Sequence, residues 1–239
     1  MTGLQDFQDR QAQVHLIYLV NPANPVILSK MNVSYMRTTP PLILASQSPR
    51  RAELLREARI DFEQRSPPFA DPDQPPAHLR GDEAEAYAAS LAAQKARSLA
   101  AVLTGSAVIL AADTICVDDH GELVGKPRDR AHAWEMLRSF IETEHRVLTG
   151  VSLLRVGSDE QAIESFADVA VVRFGSVGEF ELDAYLDTDD WQGKAGGYNL
   201  FDRQAAGWPI EVEGDPTTVV GLPMRRLVPM LKSSLHSSP

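Results

Sequence analysis

Apolar positions along this chain fall into continuous runs that predict buried strands, separated by segments with helical spacing. Leu42–Ala45 is a short run and Val108–Val117 a longer one, and both are typical of strands that are covered on both faces. Further strands are predicted at Arg146–Val156 and Glu164–Phe174. Because strands and helices intermix without an internal repeat, the pattern favours a single α/β domain.

Helices are predicted where apolar residues recur every three or four positions. The predicted segments are Pro49 to about Ala58, about Glu83 to Leu103, about Asp129 to Phe140, about Val177 to Leu186, and a last helix after Val219–Pro223 that ends near Pro229. The glycine-rich loop Trp191–Tyr198 is too long and irregular for a hairpin turn, so we expect it to carry function or to pack closely on another backbone.

The junction between the first strand and the first helix combines a helix cap with two cations. Ser48 is a good N-cap and Pro49 fits the first helical position, so Arg50 and Arg51 fall in the first turn. The helix macrodipole is positive at this end, which makes two arginines unusual there. Together with free backbone N–H groups they describe a socket for phosphate or carboxylate. The alternative is a solvated arginine pair with a local partner such as Glu53.

Two other charged residues interrupt apolar patterns. Asp113 lies inside the Val108–Val117 run, where an ionised carboxylate has to be paired, hydrogen-bonded or metal-bound. Lys95 lies four residues from both Leu91 and Leu99 and so shares their face of the predicted helix. Its side chain either extends to the surface or reaches into a cleft, and the pattern alone leaves both open.

The charge and the cysteine content limit the classes of partner. The 239-residue chain has a formal net charge of −10 at pH 7, which argues against nucleic-acid binding and suits a basic pocket for a small anion. Its one cysteine, Cys116, lies in an apolar run and is expected to be a core residue. A single cysteine excludes an intrachain disulfide and fits a reducing, cytoplasmic compartment. No apolar run approaches the roughly 20 residues that span a membrane, so no membrane partner is predicted.

The chain is predicted to divide into three parts. Residues 1–35 have neither a basic leader nor a small-residue cleavage site, and they are expected to be disordered or to reflect an over-extended start assignment. Residues 36–233 form the predicted folded domain, and residues 234–239 a tail.

Six short motifs follow one another along the folded part. They are Ser46–Arg51, Leu91–Ala96, Ala112–Thr114, Gly125–Pro127, Lys194–Tyr198 and Val220–Pro223. In this order the chain, from Leu42 to its last helix, resembles the Maf family of nucleoside triphosphate pyrophosphatases, which are related in fold to inosine-triphosphatase-like enzymes. Each motif alone is weak, but six in order at consistent spacing are specific. The resemblance implies one elongated, two-lobed α/β domain with a twisted mixed central sheet flanked by helices, and an active site in the cleft between the lobes.

The reaction implied by the resemblance is hydrolysis of a nucleoside triphosphate to the monophosphate and pyrophosphate, which removes non-standard or excess nucleotides. It requires a divalent cation, Mg²⁺ or Mn²⁺. Asp113 matches the family's proposed proton acceptor for the attacking water and is also a candidate metal ligand. The residues that suit a polyphosphate are the cations Arg50, Arg51, Lys95, Lys126 and Lys194 and the hydroxyls of Ser46, Ser48 and Thr114.

Three segments depart from the family pattern, one of which is Ala206–Pro209. The family's metal-binding glutamate is absent after Ser66, so Asp71 or Asp73 is expected to replace it with a shorter reach. Phe201 stands where the family has a base-selective Gln or Glu, with Asp202 and Gln204 nearby. Since Phe can stack on a base but cannot read its edge, the preferred base stays open between dTTP or UTP and 7-methyl-GTP.

A competing interpretation is a nucleotide-binding regulator of cell division or septum formation, a role also associated with Maf-like proteins. Asp113 favours the enzyme, because a binding module has no need of a carboxylate that faces a polyphosphate. The resemblance is also compatible with a homodimer.

Overall fold

The computed structural model describes residues 40–72, 76, 78–79, 82–157 and 162–236. Within them the strands are β1 (Leu42–Ala45), β2 (Glu63–Arg65), β3 (Ala107–Val117), β4 (Leu123–Val124), β5 (Glu144–Val156), β6 (Ile163–Phe174) and β7 (Ile210–Glu213). They form one mixed sheet in the order β2-β1-β3-β5-β6-β7, with β4 paired to β3. Strand β1 is parallel to β2 and β3, and the other pairs are antiparallel.

Helices cover both faces of this sheet, which confirms the predicted α/β class. The α-helices of the described residues are α1 (Pro49–Glu57), α2 (Asp82–Ala100), α3 (Arg130–Phe140), α4 (Glu179–Leu186), α5 (Leu200–Ala205), α6 (Pro216–Val220) and α7 (Met224–His236). On β3, Ile109 packs with residues of α2, whereas Leu110 packs with residues of α1 and α7. Side chains alternate between the two faces of a strand, so odd-numbered residues of β3 face α2 and even-numbered ones face α1 and α7.

Buried side chains form clusters toward both ends of the long strands. One cluster contains Phe140 and Val147. A second cluster, toward the opposite ends of β3 and β5, contains Val108 and Leu153. Asp113 lies on β3 between these regions.

The end of the chain differs from the prediction. The last helix was expected to end near Pro229, followed by a tail from residue 234, but α7 continues through Pro229 to His236. Pro229 has no backbone N–H, so one hydrogen bond of the helix is missing there, and since Pro229 is exposed this happens on the solvent side. Leu227 and Leu231, on either side of it, are buried against the core, and this burial outweighs the loss. The predicted leader, residues 1–35, lies outside the described residues.

None of the helices within the described residues is both long and apolar enough to cross a bilayer.

An uncharged histidine belongs to the cluster around Phe140. The His145 ring stacks on Phe140 with 4.0 Å between ring centroids, and its Nε2 lies 2.8 Å from the Tyr198 hydroxyl. Its Nδ1 is buried and has no hydrogen-bond partner among the described residues. Because burial penalises the charged ring, it lowers the pKa of His145 to about 3.

We expect this histidine to make the fold less stable in acid. Between its unfolded pKa of about 6.5 and its folded pKa the unfolded chain binds a proton that the folded chain excludes, so stability falls as pH falls. From pH 6.5 to about pH 4.5 the contribution is about 2–3 kcal/mol. Urea unfolding at both pH values should show that the free energy of unfolding falls less in acid for His145→Phe than for the wild type. Replacement of the exposed His120 with Gln serves as the control. An equal loss of stability in all three proteins would contradict the assignment of the acid sensitivity to His145.

Candidate active site

A cleft opens beside Asp113 and consists of two adjoining chambers. The chamber that we call apolar has a volume of about 390 Å³, and the chamber that we call basic has a volume of about 540 Å³. Arg50, Lys95 and Lys126 border both chambers. The residues that define the apolar chamber are Ile115, Leu123, Val124, Val147, Tyr198 and Val219. Those that line the basic chamber but not the apolar one include Ser46, Gln192 and Lys194.

The sequence of the β1–α1 junction folds as predicted. Ser48 caps α1 by accepting a hydrogen bond from the Arg51 backbone N–H at 3.4 Å, and Pro49 occupies the first turn. The Ser46 hydroxyl accepts from the Ser48 backbone N–H at 3.1 Å. Both serine side chains are therefore part of the turn that aims the two arginines at the cleft.

The two adjacent arginines have different environments. Arg51 donates through Nε to the Gly221 carbonyl at 3.0 Å, and through Nη1 to the Ala112 carbonyl at 2.9 Å and to Ser46 Oγ at 3.2 Å. Its Nη2 donates to Thr114 Oγ1 at 3.0 Å. Four of the five guanidinium N–H groups are thus used within the protein, which leaves one for a ligand. Arg51 joins the turn after β1, strand β3 and the turn after α6.

Three cations of the cleft have no such partners. Within the described residues, no hydrogen bond or ion pair holds the side chains of Arg50, Lys126 or Lys194. Burial lowers the pKa of Arg50, and burial together with the charge of Arg50 lowers the pKa of Lys194. Like charges that face one cleft without a contacting counterion are destabilising until an anion binds there. The basic chamber is therefore suited to a ligand with several negative charges.

Lys95 lies between two carboxylates, which settles the question that the sequence left open. From α2 its Nζ contacts Asp113 Oδ1 and lies 3.3 Å from Asp71 Oδ1. It also lies 5.4 Å from the centre of the Phe69 ring. The lysine reaches into the cleft and balances a carboxylate that would otherwise be buried without a partner.

The same pair of carboxylates fits a divalent cation. Asp71 and Asp113 both reach the position of one ammonium group, so their oxygens converge on a point that a cation already occupies. Mg²⁺ is bound by one or two carboxylates together with phosphate oxygens, so the donors fit such an ion with a nucleotide. No cluster of three or more metal-ligating side chains occurs among the described residues. Asp73, the other predicted ligand, lies outside them.

The residues predicted to select the base are not among the described residues that line the two chambers. Phe201 is 44% exposed on α5. Gln204 donates to the Ile210 carbonyl at 2.9 Å, and Asp202 accepts from Asn199 at 2.5 Å. One N–H of the Gln204 amide is thus engaged by the backbone. Asp202 acts at a distance, since its charge offsets part of the lowering that burial causes in the pKa of Arg50 and of Lys194.

Sequence reasoning did not identify the apolar chamber. Its walls are side chains such as Val147 and Val219, which the pattern assigns to the core. Cys116, predicted to be buried, is buried and also borders this chamber, and burial raises the pKa of its thiol. The wall residues form a cavity only because they converge from distant parts of the chain, and no local signal in the sequence indicates that cavity.

Comparison with known proteins gives the family. A sequence model described as Maf-like protein matches residues 41–234. A dTTP/UTP pyrophosphatase of Salinibacter ruber is 43% identical over 81% of this chain and 91% of its own length. A dTTP/UTP pyrophosphatase of Symbiobacterium thermophilum is 41% identical over 80% of this chain and 92% of its own. A solved nucleoside-triphosphatase / dITP/XTP pyrophosphatase of Mycobacterium abscessus aligns over 57% of this chain and 75% of its own with 16% identity and a TM-score of 0.35, which is too weak to bear on fold or reaction.

Proposed function

The chain belongs to the Maf-like protein family and is a nucleoside triphosphate pyrophosphatase, and we propose that dTTP and UTP are its substrates. The observation that carries the proposal is the set of three unpartnered cations, Arg50, Lys126 and Lys194, beside a carboxylate in one cleft. A polyphosphate supplies the negative charges that this set lacks, and the carboxylate supplies a proton acceptor.

The two chambers suit the two parts of a nucleotide. The triphosphate fits the basic chamber, where cations and serine hydroxyls converge. The base fits the apolar chamber, whose aliphatic walls and Tyr198 offer contact area beside its charged side chains such as Asp113. Such walls select a base by size and shape, so a small pyrimidine is the expected occupant and the dTTP and UTP of the relatives suit it.

Asp113 is the proposed base. Its carboxylate accepts a proton from water while the water oxygen bonds to the α-phosphorus and the bond to the bridging oxygen breaks, which releases pyrophosphate. Lys95 is close enough to exchange its contact with Asp113 for a phosphate oxygen when the substrate binds. Asp71 and Asp113 would hold a divalent cation, which supplies charge neutralisation to the polyphosphate when it is bound.

A nucleotide panel with Mg²⁺ or Mn²⁺ tests this proposal. We expect pyrophosphate release from dTTP and UTP with a kcat/KM about tenfold or more above that for ATP and GTP, because a purine exceeds the pyrimidine by a whole ring. Addition of a chelator should abolish turnover. A preference for 7-methyl-GTP would contradict the pyrimidine assignment, and full activity in the chelator would contradict the metal.

The regulator without hydrolysis is not favoured, because the curated relatives are named as pyrophosphatases. The homodimer and the cytoplasmic location stay predictions.

A further inference from the structure

Two adjacent residues of β5 lie directly behind the site. In the antiparallel pairing of β3 with β5, Gly150 is opposite Asp113 and Thr149 is opposite Thr114. Neither Thr149 nor Gly150 is among the described residues that line the chambers. Since neighbouring residues of a strand face opposite sides, Gly150 faces α2 with Asp113, and Thr149 faces α1 and α6 with Thr114.

On the first side, Gly150 leaves room for the backbone of α2. A Cβ atom at this position would lie 2.0 Å from the Ala88 carbonyl oxygen and 2.2 Å from its carbonyl carbon. Real Cβ contacts are essentially never shorter than 3.0 Å, so any side chain would displace the helix by about 1 Å. Lys95 lies two turns further along the same helix and contacts Asp113. The absence of a side chain at Gly150 therefore sets the position of Lys95 on Asp113.

On the second side, Thr149 fixes the direction of a hydrogen-bond chain. Its buried hydroxyl donates its one proton to the Thr218 carbonyl at 2.7 Å. It must then accept in its 2.9 Å contact with Thr114, so the Thr114 hydroxyl is the donor there. That leaves the lone pairs of Thr114 to accept from Arg51 Nη2. Thr149 therefore orients Thr114, and through it the guanidinium of Arg51.

We propose that Thr149 and Gly150 are positioning residues, which hold Arg51 and Lys95 in place from opposite faces of β5. The kinetic part of the test rests on the proposed pyrophosphatase function, whereas binding of inorganic tripolyphosphate does not. Thr114, predicted as a substrate ligand, acts in this arrangement by holding Arg51, since its hydroxyl proton is directed away from the cleft.

Gly150→Ala tests the first face. A displacement of about 1 Å in Lys95 is expected to lower kcat for dTTP about 10²-fold while KM stays within about threefold, measured where the variant is folded. On a Lys95→Met background the same substitution should lower the residual kcat less than threefold, because the group that it displaces is already absent. Gly178→Ala, at the remote start of α4, is the matched control and should leave kcat and KM unchanged. This role is overturned if a folded Gly150→Ala protein has a kcat within twofold of wild type. It is also overturned if, in the double variant, the reductions in kcat caused by Gly150→Ala and by Lys95→Met multiply in full.

Thr149→Val tests the second face without changing the size of the side chain. It should raise the Kd for inorganic tripolyphosphate about tenfold by calorimetry, and Thr149→Ser should restore it to within twofold. Thr143→Val, which removes a hydroxyl at the end of α3, is the control and should leave this Kd unchanged. A wild-type Kd in Thr149→Val, or failure of Ser to restore it, overturns the role of Thr149. This readout needs no turnover and remains decisive if Gly150→Ala does not fold.

Discussion

Replacing Asp113 with Asn is expected to lower kcat by 10²–10⁴-fold, the range for loss of a general base, while the chain stays folded and binds nucleotide. The substitution keeps the shape of the side chain on β3 but removes the proton acceptor and one carboxylate from the metal pair. Because the substitution removes a negative charge from a cleft that binds a polyanion, the affinity for tripolyphosphate should stay the same or rise. Steady-state kinetics with dTTP and calorimetry with tripolyphosphate measure the two effects separately.

Asp119→Asn is the matched control, since this exposed carboxylate follows the end of the same strand. It should leave kcat, KM and the affinity unchanged. If Asp113→Asn instead turned over dTTP within a few-fold of wild type, Asp113 would be a structural partner of Lys95. Asp71, the other carboxylate on that lysine, would then be the first candidate for the base.

Replacing Arg51 with Ala is expected to lower the free energy of unfolding by about 2–4 kcal/mol, because it leaves several buried acceptors without a donor. The Ala112 and Gly221 carbonyls and the Thr114 hydroxyl all lose a partner. The same change at Arg50 removes a cation with no hydrogen bond among the described residues from the positive end of α1. Arg50→Ala should therefore leave stability unchanged or raise it by up to about 1 kcal/mol.

The two adjacent variants control for each other. Both should reduce kcat/KM for dTTP and for UTP alike, because contacts to phosphate do not distinguish bases. Urea unfolding separates them, since only Arg51→Ala should shift the midpoint to lower denaturant. Equal stability of the two variants would contradict the account of Arg51 as a link between the turn after β1, strand β3 and the turn after α6.

The sequence predicts the β1–α1 junction well because its signals are local. A strand run, the N-cap Ser48 and Pro49 after it determine where the arginines fall, and the structure agrees. Asp113 and Lys95 were also identifiable, since a charge in an apolar pattern needs a partner. The sequence did not show that they are each other's partner, because this pairing depends on how α2 crosses the sheet.

Other elements were not predicted because tertiary contacts decide them. Strand β2 consists of the exposed polar residues Glu63–Arg65 and forms by parallel pairing with β1, so it has no apolar pattern of its own. The contact of Gln204 was not predicted for a similar reason, as its amide donates to the Ile210 carbonyl across the turn before β7. Which of two adjacent arginines is free and which is engaged likewise depends on carbonyls more than 60 residues away.

The central claim is that this cleft cleaves a nucleoside triphosphate to a monophosphate and pyrophosphate with Asp113 as the base. Analysis of the products from dTTP, for the wild type and for Asp113→Asn at equal protein concentration, tests it most directly. We expect the wild type to release dTMP and pyrophosphate in equal amounts and the variant to release both about 10²-fold or more slowly. Release of dTDP and orthophosphate, or wild-type rates in Asp113→Asn, would contradict it.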